Sequence, residues 1–309
     1  HTSYFTPHTL HLMHKSGFVN IIGRPNVGKS TLMNALVGER MSIITNKPQT
    51  TRHRIIGIVN TEEYQIIFSD TPGVIQDPAY KMHEAMNRFV HSSFEDADLV
   101  LFVTEPGEKY ADDDPVLQQL AKLKVPLFLL INKVDTIKEG PLLQLIQQWS
   151  ERLSFTEVIP MSALHGTNVD TLLRLIVEQM PEGPAYYPKD QLTDKPERFF
   201  VSEIIREKIL LLYQQEVPYF TEVVIQSFKE DVTAKGEPII RIGAEIYVGR
   251  KTQKAILIGK GGQAIKRLGT EARKDIETWL DSKVFLELHV KVKDNWRDDD
   301  FHLKQFGYR

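Results

Sequence analysis

The 309 residues carry 38 Lys and Arg against 41 Asp and Glu, a formal net charge of −3, with 41% hydrophobic and 26% charged residues. That is the composition of an ordinary globular protein, and the length is comfortable for two domains. No apolar run reaches the about 18 residues of a membrane-spanning helix, and the lack of any cysteine excludes disulfides and thiolate metal sites.

The charge is uneven. Residues 1–197 hold 18 basic against 24 acidic side chains, and residues 198–309 hold 20 against 17. Within 249–274, eight Lys or Arg stand against one acid, Glu271, a density that suits a polyanion-facing surface. The acidic runs Asp112–Asp114 and Asp298–Asp300 read as solvated surface.

In chain order, HTSYFTPHTLHLMH (1–14) has neither the basic start nor the cleavage site of a secretory signal. Its His8, His11 and His14 have no carboxylate or thiol nearby, so residues 1–15 are expected to be a disordered tail. FVNII (18–22) predicts a strand, and KSTLMNALVG (29–38) a helix. IIGIVN (55–60) and YQIIFS (64–69) predict a hairpin. DLVLFVT (98–104), VPLFLLI (125–131) and EVIPM (157–161) predict buried strands, and Val169, Leu172, Leu173, Ile176 and Met180 share one helical face. This alternation predicts a mostly parallel six-stranded sheet wrapped by helices over 16–180, with one antiparallel strand from the hairpin.

PEGPAYYPKDQLTDKPE (181–197), with four prolines and little periodicity, predicts a linker. Residues 198–309 then predict a smaller α+β domain. A helix (199–214) leads to a strand (219–228), a turn (229–238) and a second strand (239–248). A short basic segment, a glycine loop and a helix with Ile265, Leu268, Ala272, Ile276 and Leu280 on one face follow, and a final strand (284–292) ends the domain.

GRPNVGKS, Gly23 to Ser30, fits G-x-x-x-x-G-K-[ST] between a strand and a helix, the context of a phosphate-binding loop. Gly23 and Gly28 let the backbone through Arg24, Pro25, Asn26 and Val27 wrap around phosphates, with the helix N-terminus adding its positive end. Lys29 would reach the β and γ oxygens and the Ser30 hydroxyl a Mg²⁺ position. NKVD follows the fifth strand: Asp135 can accept from the ring N–H and exocyclic amine of guanine, a pair adenine lacks, discriminating by roughly 10⁴-fold. Asn132 and Lys133 would brace base and loop, and Ser162-Ala163 of SAL would offer a backbone N–H to the guanine O6. DTPG (70–73) places Asp70 to hold a Mg²⁺-bound water and the Gly73 N–H to sense the γ-phosphate, with Thr71 and Pro72 shaping the turn. Each piece alone could be a plain turn. Their order, each at a strand end, points to a guanine-nucleotide site.

In that order, GxxxxGKS, TTR, DTPG, NKVD and SAL resemble a translation-factor-class GTPase, and QTTRHRI (49–55) resembles the Era family. The resemblance implies that MSIITNKPQTTRHR (41–54) is a first switch loop with Thr51 completing the Mg²⁺ shell, and Thr50 as the alternative that the sequence does not separate. Residues 73–81 would form the second switch. Val74 stands where a water-positioning glutamine is expected in Ras-like proteins, so turnover is expected to be slow unless a cation or partner assists. Asn26 resembles the asparagine by which related GTPases hold K⁺, with a plain loop residue as the alternative.

The second glycine stretch, IGKGGQAIKR (258–267), lacks a Lys-Ser/Thr pair at phosphate-loop spacing. Gly259-Lys260-Gly261-Gly262 fits the G-x-x-G of a K-homology domain, which clamps about four nucleotides of single-stranded backbone; the element order resembles the type II variant. Lys260, Lys266 and Arg267 would position the strand, with Ile258 and Ile265 as apolar base contacts. With EIIREKI (203–209) and EARKDIE…VFLELHVKVKDNW, the chain resembles Era over roughly 15–309. That family implies a GTP-controlled assembly factor of the small ribosomal subunit that binds the 3′ end of 16S ribosomal RNA. It also implies a cytoplasmic location and peripheral association with the inner membrane. The chain is expected to be a monomer. The rival readings are a GTPase whose second domain binds protein, and a metabolic phosphate-loop kinase.

Overall fold

The computed structural model describes residues 14–308 except 48 and 76; His8 and His11 of the predicted tail lie outside them. His14 Nδ1, by contrast, is hydrogen-bonded to Gly183 O at 2.9 Å and Lys15 opens the first strand, so the predicted tail of 1–15 is too long. The N-terminal sheet has the order β2-β3-β1-β4-β5-β6, from β1 (Lys15–Ile22), β2 (Ile55–Asn60), β3 (Tyr64–Asp70), β4 (Leu99–Thr104), β5 (Leu127–Ile131) and β6 (Glu157–Pro160). All pairings are parallel except the β2–β3 hairpin. LVLFVT and LFLLI are buried at every position, as central parallel strands covered on both faces must be. Five helices cover the sheet: α1 (Lys29–Val37), α2 (Lys81–Ser92), α3 (Pro115–Leu120), α4 (Glu139–Arg152) and α5 (Val169–Gln179). Helix α1 ends at Gly38 in the left-handed region (φ 79°), whose N–H donates to Asn34 O.

The proline-rich 181–197 stretch is strapped to this sheet. Gln65 Oε1 accepts from the Tyr186 and Tyr187 N–H groups at 2.7 and 2.9 Å, and the Ile58 N–H of edge strand β2 donates to Leu192 O at 2.8 Å. The strap thereby covers an otherwise unpaired strand edge.

The second domain comprises α6 (Glu197–Leu212), β7 (Thr221–Val232), β8 (Pro238–Val248), α7 (Lys251–Ile258), α8 (Gln263–Leu280) and β9 (Val284–Val292), with β8 central, antiparallel to β7 and parallel to β9. Its core includes Ile205, Ile209, Ile246, Leu268, Ala272 and Ile276, all buried. Phe200, in the first turn of α6, joins the N-terminal core instead, so one helix is rooted in both domains.

Three further expectations are corrected. Lys229–Val232 are strand, not turn: both faces of β7 are exposed there, so no alternation marks them, and the turn shrinks to 233–237, where Thr233 N donates to Glu237 O. The chain does not end structurally at β9. It returns to the N-terminal domain through a ninth helix, α9 (Asp300–Gln305), where Trp296, Leu303, Phe306 and Tyr308 are buried with Met82, Ala85 and Met86 of α2. The acidic runs are not simply solvated: Asp114 is 4% exposed and caps α3, Asp299 caps α9, and Asp298 Oδ1 accepts the Lys81 N–H at 3.1 Å.

The two domains share an extensive polar boundary. Arg52, in the 41–54 loop, is fully buried and donates to Thr221 O (2.6 Å), Pro218 O (3.2 Å) and Tyr219 O (3.3 Å), and pairs with Glu222 (3.3 Å). Arg206 of α6 donates to the Gln49 and Thr50 carbonyls. Arg297 is sandwiched between the rings of Tyr80 and Phe220 at 3.5 and 3.3 Å, a stacked cation–π contact.

Candidate functional site

The strand ends of β1, β3, β5 and β6 open onto a cleft of about 710 Å³, a size suited to a nucleotide. Pro25, Asn26, Gly28, Lys29, Ser30, Thr50, Thr51, Thr71, Gly73, Val74, Asn132, Lys133, Asp135 and Ser162 line it. Gly23, Arg24, Val27, Asp70, Pro72 and Ala163 are not in the lining. Val27 is wholly buried in the core, and the Arg24 side chain is tied to Asp114 (2.8 Å) and lies 3.9 Å over the Tyr110 ring.

The glycines are sterically required. A Cβ on Gly28 (φ 99°) would stand 2.2 Å from Asn132 Nδ2, and one on Gly73 would meet Pro25 Cγ at 2.6 Å. Lys29 is 6% exposed and folds back on the loop, donating to Gly23 O at 2.9 Å and Arg24 O at 2.8 Å. Burial lowers its pKa to about 8, against the opposing charges of Asp70 and Glu108.

Three oxygens meet beyond Lys29. Ser30 Oγ donates to Asp70 Oδ2 at 2.7 Å and lies 3.0 Å from Thr51 Oγ1. Asp70 is buried, which raises its pKa despite Lys29 and Ser30, and its Oδ1 is enclosed with no hydrogen-bond partner. Two hydroxyls beside a buried carboxylate suit a hard, oxygen-liganded cation. The Thr50 hydroxyl turns the other way, donating to Lys47 O at 2.6 Å, and only the Thr51 hydroxyl of the pair comes to Ser30.

At the other end, Asn132 links the loop to the Ala163 turn: Nδ2 donates to Val27 O at 2.8 Å and Oδ1 accepts the Ala163 N–H at 2.9 Å. That N–H, expected to face a base, is therefore engaged within the protein. Lys133, at φ 60°, donates to Asn26 O at 2.7 Å and pairs with Glu105. The Ser162 hydroxyl donates to Asp135 Oδ1 at 2.5 Å and holds that carboxyl below its usual range, so it stays an acceptor. The Thr71 hydroxyl donates to Ile21 O at 3.1 Å, anchoring the turn before Gly73. Asn26 Nδ2 donates to Asn46 O at 3.2 Å.

On the second domain, Gly259 (φ 70°), Gly261 (φ 59°) and Gly262 (φ 75°) form the loop between α7 and α8. Gly259 abuts Ala264, whose Cβ would be 2.6 Å from an added Cβ, whereas Gly261 and Gly262 face open space. Lys260, Lys266 and Arg267 are exposed. Ile265 lines a groove between α8 and β9 with Gly269, Phe285, Leu286 and Leu288, four residues the sequence reading missed. Gly269 was a signal: glycine inside a helix is unfavourable by about 1 kcal/mol, and an added Cβ would lie 3.4 Å from Leu288. Ile258, like Ile265, is half-buried and packs against the second core.

The loop and the cleft are connected through the protein. Lys47 Nζ donates to Tyr213 O at 2.6 Å, and the Tyr213 hydroxyl donates to Leu257 O at 2.9 Å, two residues before Gly259.

A family model described as "50S ribosome-binding GTPase" matches residues 18–133, and a KH domain model matches 216–297. The chain is 47% identical over 298 residues to the GTPase Era of Clostridium novyi (strain NT), covering 96% of this chain and all of that protein. It is 45% identical to that of Alkaliphilus metalliredigens (strain QYMF) with the same coverage. An Aquifex aeolicus Era variant bound to GDP·AlF4⁻ superposes with a TM-score of 0.89 at 38% identity, over 95% of this chain and 99% of its own. An Era complex with MgGDPNP and nucleotides 1506–1542 of 16S ribosomal RNA gives 0.87 at 39% identity, over 96% and 99%.

A phosphate bound against Lys29 would make nucleotide binding pH-dependent. Because the folded pKa (about 8) lies below the ordinary 10.5, the charged form costs stability below about pH 8, and that cost is relieved as pH rises toward 10.5. An entering phosphate restores the charge. Nucleotide affinity should therefore fall as pH rises above 8, and binding near pH 8.5 should take up protons. Calorimetry in two buffers of different ionisation enthalpy measures this; buffer-independent heats would remove Lys29 from phosphate contact.

Proposed function

The chain belongs to the Era family of GTPases, and from that premise we propose how its two domains act together. GTP binds in the cleft with its phosphates on the 23–30 loop. Asp135 and Ser162 select guanine, and a Mg²⁺ ion is held by Ser30 and Thr51 and, through water, by Asp70. Gly73 senses the γ-phosphate. The second domain binds the single-stranded 3′ end of 16S ribosomal RNA along the 259–262 loop, with Lys260, Lys266 and Arg267 on phosphates and Ile265 in the base groove. The protein thereby assists small-subunit maturation in the cytoplasm.

The observation that carries the coupling is the 41–54 loop itself. It walls the nucleotide cleft and is bonded to the second domain through Arg52, Arg206 and Lys47. A loop that orders around γ-phosphate and Mg²⁺ must then carry α6, and through Tyr213 the end of α7, with it. The arrangement seen here, with Gly261 and Gly262 open, matches across both domains that of relatives holding GDP·AlF4⁻ or MgGDPNP, so we assign it to the GTP state.

Hydrolysis proceeds without a side chain at position 74 able to orient water. We assign the missing positive charge to K⁺ beside Asn26, whose loop lies against both Asn46 and Lys133. Turnover should be faster in potassium than in sodium, and Asn26→Ala should erase the difference; equal wild-type rates would exclude K⁺.

Base selection is tested by Asp135→Asn, which should lower guanine-nucleotide affinity by about three to four orders of magnitude and admit xanthine nucleotides. An unchanged preference would move the base elsewhere. RNA binding is tested by anisotropy with a labelled 16S 3′-end oligonucleotide. Affinity should be higher with a GTP analogue than with GDP, weaken with salt, and vanish in Gly261→Asp. Equal affinity in both nucleotide states would defeat the coupling.

A further inference from the structure

Arg206 is the only fully buried arginine that α6 sends toward the nucleotide cleft among the described residues. Its Nε donates to Glu203 Oε1 at 2.7 Å and its Nη2 to Glu203 Oε2 at 2.5 Å, a side-on pair one turn back along the helix. Nη1 then reaches Gln49 O at 3.3 Å, and Nη2 also reaches Thr50 O. The whole polar edge is thus engaged by a carboxylate and two backbone carbonyls, and none of it is aimed at a phosphate. Burial would raise the Glu203 carboxyl, but Arg206 overrides this and holds it below its usual range, so the fork stays charged and oriented.

The two carbonyls belong to the residues just before Thr51. Gln49 sits at φ 56°, a left-handed conformation costly for a residue with a side chain. Once those two peptides are fixed, the Thr50 hydroxyl faces Lys47 O and the Thr51 hydroxyl faces Ser30. Rotating either peptide would exchange or lose these directions. Neighbouring contacts from the same helix act on the loop further upstream: Glu207 accepts the Ile44 N–H at 3.4 Å and pairs with Arg40.

We propose that Arg206 is a positioning residue of the GTP site supplied by the RNA-binding domain: by clamping the Gln49 and Thr50 carbonyls it presents Thr51 to the Mg²⁺ and the γ-phosphate. This rests on reading 41–54 as the first switch, and it makes the GTP-bound conformation of the cleft dependent on a docked second domain. By reciprocity, anything that pulls α6 from the loop lowers affinity for GTP but not for GDP, which has no γ-phosphate for the loop to gather around.

The test uses the full-length protein with three changes: Arg206→Lys, Arg206→Met, and Glu203→Gln with Arg206→Met. The double variant leaves no unpaired buried ion and so protects against simple misfolding. Affinities for GDP and for a non-hydrolysable GTP analogue are measured across a Mg²⁺ titration. Analogue affinity should drop about tenfold, within the 5–150-fold span of site-to-site couplings, with GDP affinity within about twofold. The Mg²⁺ concentration for half-maximal analogue binding should rise, and lysine, which cannot bridge two carbonyls and a carboxylate, should not rescue it. An unchanged ratio of analogue to GDP affinity in the double variant or in Arg206→Lys overturns the proposal, as does an equal loss for both nucleotides. A wild-type protein that binds neither guanine nucleotide would instead overturn the reading of the cleft.

Discussion

The 41–54 loop, which walls the nucleotide cleft, is gripped on its far side by charges withdrawn from water. Arg52 passes from the 41–54 loop into the second domain, and Arg206 passes from the second domain onto the loop. Each guanidinium is buried, and each donates to a carboxylate together with backbone carbonyls, with Arg52 Nε alone left without a partner. Breaking one side of such an arrangement strands a buried charge, at about 3–5 kcal/mol. The contact is therefore present or absent rather than gradually loosened, which is what a two-state switch requires. The remainder of the boundary follows: Glu222 accepts from both Arg52 and the Tyr308 hydroxyl, so the returning C-terminal segment is tied to the same joint.

The nucleotide cleft is built from the opposite logic. Its backbone cradle is rigid, held by glycines that admit no Cβ and by Asn132 bridging the loop at 23–30 to the Ala163 turn. Thr51 and the 73–75 turn lie on segments held by the second domain and by α2. The Ile75 N–H is held by Asn87 of α2 at 3.0 Å, and α2 carries the C-terminal segment on its buried face. Val74, in the same turn, brings no polar side chain to the cleft.

The parts of this molecule that were legible in the sequence are those where side-chain identity does the work at fixed spacing. The glycine loops, NKVD and the DTPG turn depend on residue types that few others can replace, and the fully apolar runs of β4 and β5 leave no alternative to buried strands. The joint between domains was not legible, because it uses the carbonyls of residues 49, 50, 218, 219 and 221, and any residue type supplies a carbonyl. Helix α9 was hidden for another reason: its cap, Asp299, lies in an acidic run that resembles solvent-facing surface, while Trp296, Leu303 and Phe306 are too widely spaced to mark a helix of six residues. Thr50 and Thr51 differ only in the direction of their hydroxyls, which is set by contacts made from another domain.

The proposed readout of nucleotide state is a mechanical linkage that runs from Thr51 through α6 and Tyr213 to the loop of Gly259–Gly262. Hydrogen–deuterium exchange measures it most directly, comparing backbone amides of residues 203–215 and 255–263 in protein saturated with GDP and with a GTP analogue. The linkage predicts that both segments change protection together when the nucleotide is exchanged, although neither lines the nucleotide cleft. Identical exchange in the two states, with the 41–54 loop responding alone, would contradict it.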